Sequence, residues 1–154
     1  MRKHFCRSGQ RLLVLPLVAL CSGCFLQNRG RLMVEVRYLE IPVNDIDRAV
    51  AFYEAVFAVK LERATVDGYA MAHFPSPGDR AGADVTLAQG DVYVPSKAGV
   101  LVYFHVTDID LVMSRATARG ATILYAKKRV APGTWVGEFE DSEGNRIALS
   151  QRDE

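Results

Sequence analysis

Val43-Asn44-Asp45-Ile46-Asp47 recurs as Val106-Thr107-Asp108-Ile109-Asp110, and the reading of this pair decides the fold. Each copy follows an apolar-rich run and precedes residues spaced as one face of a helix. Asn44 and Thr107 read as N-caps, because a short polar side chain can accept from the unpaired N–H groups of a first helical turn. Asp47 and Asp110, three positions on, resemble the second half of a capping box and put negative charge near the positive helix end. After the first copy, Ile46, Val50, Tyr53 and Phe57 keep helical spacing. After the second, Ile109, Met113 and Ala116 do so, with Gly120 placed to end the helix. The spacings predict helices reaching about Phe57 and about Arg119.

Outward from these helices the two halves repeat one order: strand, helix, strand, strand, strand. Lys60–Val66 and Tyr69–Phe74 flank Asp67-Gly68, a type I′ hairpin signal. Ile123–Val130 and Thr134–Glu140 flank Pro132-Gly133. Asp84–Gln89 and Arg146–Gln151 close the halves, the latter after the turn Asp141-Ser142-Glu143-Gly144-Asn145, where Gly144 supplies a positive φ. Alternation separates two faces on each strand. Leu39, Ile41, Val43, Val102, Phe104, Val106, Val85, Leu87, Ile147 and Leu149 form aliphatic or Phe faces suited to cover helices. The opposite, mixed faces hold Tyr38, Glu40, Thr86, Leu101, Tyr103, His105, Arg146 and Ala148, and are expected to line whatever lies between the halves. The fold class read here is α+β, two tandem βαβββ modules (residues 34–90 and 99–152) around a shared half-barrel cavity.

Composition narrows the function classes. A chain of 154 residues has room for one domain and a sizeable core. Six of its 19 basic residues and none of its 18 acidic ones lie in residues 1–32, which leaves 13 basic against 18 acidic, a net of −5, for the rest. An acidic domain without a basic stripe argues against nucleic-acid binding. All three cysteines (Cys6, Cys21, Cys24) also fall in that leader, so the domain has no disulfide, thiolate site or cysteine nucleophile.

The leader itself has two readings. Basic residues, the apolar run Leu12–Leu20 and small residues before Cys24 follow the order of a secretory lipoprotein signal. The run is shorter than a membrane-spanning helix requires. Alternatively translation starts at Met33 and the segment is a leader read in frame. The first reading gives an exported chain lipid-anchored at Cys24; the second gives a cytoplasmic one.

Leu39–Phe57 (LEIPVNDIDRAVAFYEAVF), Gly90–Ser96 (GDVYVPS) and Glu138–Ser150 (EFEDSEGNRIALS) resemble the vicinal oxygen chelate superfamily of glyoxalase I, extradiol dioxygenases, fosfomycin-modifying enzymes and bleomycin-resistance proteins. The resemblance spans nearly all of residues 33–154 and implies paired βαβββ modules. In metal-dependent members it implies four cavity-facing His, Glu or Gln ligands for one divalent ion. Those positions fall on Tyr38, Thr86, Leu101 and Ala148, none a usual ligand. The Arg expected four residues after the first ligand, a glutathione anchor in glyoxalase I, is Pro42. Relatives commonly carry Gly where this chain has Ala58.

The remaining candidates are few. Glu40 could serve as general base or ligand anchor, pair with Arg146 or Arg37, or be partly solvated. His105 could transfer a proton or hold ligand, or be a satisfied structural histidine. Glu40, Tyr103, His105 and Arg146 could form a polar cluster in an otherwise apolar pocket. Tyr38, Tyr69, Tyr103 and Trp135 could wall a planar ligand or simply pack. The loop Pro75–Gly82 is a candidate lip. The expected function is small-molecule binding without metal or other cofactor. The alternative is a lyase-, isomerase- or dioxygenase-like metalloenzyme with relocated ligands, so a divalent ion stays open. The expected partner is a small molecule, with a homodimer through sheet edges also compatible, no nucleic acid, and membrane only through Cys24.

Overall fold

A computed structural model describes residues 35–76, 78 and 82–153. The leader, with Cys24 and the Met33 start, lies outside the described residues, as does half of the expected lip. The element order is β1(Tyr38–Val43), α1(Ile46–Phe57), β2(Glu62–Val66), β3(Tyr69–His73), β4(Asp84–Gln89), β5(Val102–His105), α2(Ile109–Ala118), β6(Thr122–Ala131), β7(Thr134–Glu140) and β8(Arg146–Arg152). The strands form two four-stranded mixed sheets, ordered β1-β4-β3-β2 and β5-β8-β7-β6. In each, the first strand pairs parallel with the last, and the other pairs are antiparallel. The two tandem βαβββ modules are therefore present.

Local chemistry explains the elements. Asp67 and Gly68 both have positive φ (50° and 83°), as a type I′ turn requires. Gly120 (φ 87°) follows α2 and Gly144 (φ 93°) shapes the turn before β8. Ala58 sits left-handed at the end of α1 (φ 55°), strain that glycine would avoid. The caps differ from expectation by one residue. Asp45 and Asp108, not Asn44 and Thr107, have the extended cap backbone. Asp45 Oδ1 accepts from Asp47 N and Arg48 N, and Asp108 Oδ1 from Leu111 N. The carboxylate one residue nearer the helix reaches the free N–H groups, and Asn44 N donates elsewhere.

The interior also corrects the expected layout of the faces. The aliphatic faces of both sheets meet, through α1 and α2, in one core. Ile41, Val43, Leu87, Ile147 and Leu149 are buried with Phe52, Tyr53, Val56, Ile109 and Ala116. Phe52 of α1 lies 6.1 Å from Phe139 on β7, and Phe57 lies 4.7 Å from Phe104 on β5. Burying these aromatic and aliphatic surfaces is the main stabilising term. The helix-covering faces thus hold the halves together, and the mixed faces meet only at their edges, where Glu40 of β1 and Arg146 of β8 line one cavity between the modules.

Candidate functional site

The turn before β8 clamps the halves. Glu143 Oε2 accepts from Asn44 N (3.0 Å), Asp45 N (3.1 Å) and Arg48 Nη2 (2.7 Å), and Oε1 from Arg48 Nε (2.8 Å) and Ser142 Oγ (3.0 Å). Burial pushes the Glu143 carboxyl up, but these donors outweigh it and hold it below the usual range. Tyr53 Oη donates to Asp141 Oδ2 at 2.6 Å, and burial, then the Asp141 charge, pushes the phenol well above its ordinary value. Asn145 Nδ2 donates to Pro42 O at 2.8 Å. From the sequence this turn shows backbone geometry, not catalysis. Its acidic and amide side chains in fact tie module two to β1 and to the start of α1.

The eight expected cavity residues do not share one cavity. Tyr38 and Thr86 line a cavity of about 400 Å³ on the first sheet, with Lys60, Glu62, His73 and Phe74. Glu40 and Arg146 line a second, about 310 Å³, beside the β1 edge with Val94, Val100 and Asn145. His105 lines a third, about 420 Å³, with Phe57, Phe74, Phe104 and Arg115. Leu101, Tyr103 and Ala148 line none of these three. Of the eight, only Glu40 and Arg146 come from different modules and share a cavity.

The first sheet offers the better-developed chemistry. Register aligns Glu62, His73, Thr86 and Glu40 in one row across β2, β3, β4 and β1. His73 Nδ1 and Thr86 Oγ1 are 2.7 Å apart, with Thr86 fully buried. Glu40 pairs with neither Arg146 nor Arg37: Tyr93 Oη donates to Glu40 Oε2 at 2.9 Å, and Arg37 pairs with Glu35. On the second sheet Arg146 instead engages the buried Glu138, with Nε at 2.6 Å and Nη2 at 2.5 Å from Oε2. The proposed cluster of Glu40, Tyr103, His105 and Arg146 is thus divided. Trp135 packs on the core and donates to Asp153, with Lys127 over its ring at 5.4 Å. Sequence reading missed Tyr93, whose partner is far away along the chain.

Residues 35–149 match the sequence profile of the Glyoxalase/Bleomycin resistance protein/Dioxygenase superfamily. The chain belongs to this superfamily. It is 27% identical over 122 residues to a glyoxylase-like domain-containing protein of Didymella fabae, covering 77% of this chain and 94% of that one. A glyoxalase family protein from Bacillus cereus superposes with TM-score 0.62 at 21% identity, covering 80% of this chain and 97% of that one. A glyoxylase/bleomycin resistance protein/dioxygenase domain from Frankia sp. EAN1pec does so at 0.61 and 20%, covering 79% and 94%. These likenesses carry the fold.

The superfamily's metal-dependent members raise the question of an ion here. The donor set at the corresponding positions does not fit one. Leu101 and Ala148 have no side-chain donor atom, and Thr86 and Tyr38 offer only a hydroxyl and a phenol. Among the described residues no group of three or more His, Cys, Asp or Glu side chains converges. None of their helices is long and apolar enough to cross a membrane.

Proposed function

We propose that this superfamily member binds a small molecule on the mixed face of its first module, without a metal ion. The observation that carries the reading is the cavity of about 400 Å³ holding Tyr38 and Thr86, two of the four positions where metal-dependent relatives place ligands, with the Thr86 hydroxyl facing His73. A volume of that order suits a small ligand. Tyr38 and Phe74 give it apolar wall, while Glu62, Asp84 and the His73–Thr86 pair give it hydrogen-bonding direction.

Two measurements test this. The purified full chain, incubated with Ni, Zn, Mn or Fe(II) and dialysed, retains well under one ion per chain; one ion per chain overturns the metal-free reading and favours an enzyme with relocated ligands. In a thermal-shift screen of small polar organics, a binder raises Tm in proportion to its occupancy of the folded state. Thr86→Val keeps the shape but removes the hydroxyl, so it should abolish the shift. Shifts that survive this change place the ligand elsewhere, and the absence of any shift overturns the binding function.

A further inference from the structure

We propose that Tyr69, Tyr93 and Glu40 form a recognition corner for a small organic cation of the alkylammonium class. The proposal rests on the reading of the first module's mixed face as a small-molecule surface, and it names the charge and shape of the guest. Tyr93 leaves β4 through a tight turn, its N–H donating to Gly90 O at 3.1 Å. That turn sends its ring back over the sheet. The ring meets Tyr69 of β3 at 88°, with centroids 5.4 Å apart, and the hydroxyl reaches Glu40 of β1. Tyr93 therefore spans from the edge strand to the third strand of the sheet, with the fully buried Ala88 of β4 in between.

The corner is built for close approach. A Cβ at Gly90 would overlap Tyr69 Cδ1 and Cε1, so only glycine lets the Tyr69 ring lie against the turn. Two rings at a right angle give a guest π-surface in two directions, the geometry by which aromatic groups hold cations. By donating to a carboxylate, the Tyr93 phenol becomes richer in electrons, which strengthens the attraction. The same bond, first among its causes, raises the Tyr93 pKa, with the Tyr69 and Tyr38 phenols adding to it. Glu40 is exposed and none of the ion pairs among the described residues involves it, so its charge is available. Tyr38, two residues away on the same face, is 46% exposed and adds aromatic surface. An anion would meet the Glu40 charge in a domain that is itself acidic. A neutral apolar guest would gain nothing from the carboxylate.

The test is isothermal titration of the full chain at low salt with choline and with dimethylbutanol, its uncharged isostere in which carbon replaces nitrogen. Choline should bind at least about tenfold more tightly. Glu40→Gln and Tyr69→Leu should each weaken choline at least about threefold, the span of a partly exposed cation–π contact, and leave dimethylbutanol unchanged. If Tyr69→Leu lowers Tm, Tyr93→Leu supplies the same readout, since it removes the other ring of the corner. Equal binding of the two probes, choline binding indifferent to these variants, or no choline binding overturns the corner. The outcomes separate from those of the parent reading: neutral screening hits that need Thr86, together with indifference to choline, remove the corner and leave the small-molecule surface standing.

Discussion

Replacing Glu143 with Gln tests whether the clamp between the modules is as structural as its geometry indicates. The Glu143 side chain is fully buried and accepts five hydrogen bonds from Asn44 N, Asp45 N, Arg48 and Ser142. Glutamine keeps the shape but turns one oxygen into a donor. Whichever oxygen is replaced, an amide N–H then faces Arg48, and on one side two backbone N–H groups as well. Removing one partner of a buried pair costs about 3–5 kcal/mol. The Arg48 side chain is 52% exposed and can be rehydrated, which lowers the expected loss to about 3 kcal/mol. At roughly 4 °C per kcal/mol for a domain of this size, Tm should fall by about 12 °C. The acid limb gives a second readout. The folded-state carboxyl is held below its unfolded value, so its contribution is full above the unfolded value near pH 4.3 and is lost as pH falls through the folded one. Wild type and Glu143→Gln should therefore differ near neutrality and converge in acid. Calorimetry from pH 7 to pH 3 checks both parts. A Tm change under about 2 °C, or a gap that persists undiminished in acid, refutes the reasoning.

Tyr53→Phe removes a buried donor to a carboxylate that keeps its bonds from Asn145 and from Glu143 N, so chemical denaturation should register a loss of about 2 kcal/mol with an unchanged m-value. Gly137→Ala adds a Cβ 2.9 Å from Met113 Sδ and 3.3 Å from Ile109 Cγ2, pressing α2 off β7; the expected cost is about 1–3 kcal/mol in the same assay, relieved by pairing it with Met113→Ala. Ala58→Gly releases left-handed strain of about 1 kcal/mol against a smaller unfolded-state entropy penalty, so Tm should rise by a few degrees, and a fall contradicts the strain.

What the sequence disclosed is what short-range physics governs. Strand parity placed Ile41, Val43, Leu87, Ile147 and Leu149 in the core because side chains alternate across a strand whatever the strand meets. Asp67-Gly68 and Gly144 announced their turns because few residues tolerate positive φ. No local signal shows that Glu143, a residue 99 positions away, claims Asn44 N beside the first cap. The same limit hid the Tyr53–Asp141 bond and the Tyr93–Glu40 bond, which link residues 88 and 53 positions apart. Parity tells which face a side chain takes, but not which of two faces will meet the other module. That choice rested on Phe52, Phe57, Phe104 and Phe139, whose combined burial favours joining the helix-covered sides.

The two mixed faces have diverged in a way that concentrates recognition chemistry on the first. Their rows correspond: Glu62, His73, Thr86 and Glu40 on one sheet, and Tyr125, Glu138, Ala148 and Tyr103 on the other. In the second row the polar group is a buried carboxylate satisfied by Arg146 on the same face, beside an alanine with nothing to offer a ligand. A buried charge fixed by its partner would lose that compensation by turning to a guest. In the first row His73 meets a hydroxyl that can both donate and accept, and Glu40 stays exposed under a single phenol. Exposed Glu40 can exchange its partner at little cost, and the buried Thr86 hydroxyl can turn to a ligand only where that ligand replaces the bond to His73. Both halves thus keep the aliphatic faces that one core needs, while the first mixed face holds the carboxylate Glu40 and the His73–Thr86 pair, and the second leaves Tyr103 and His105 exposed.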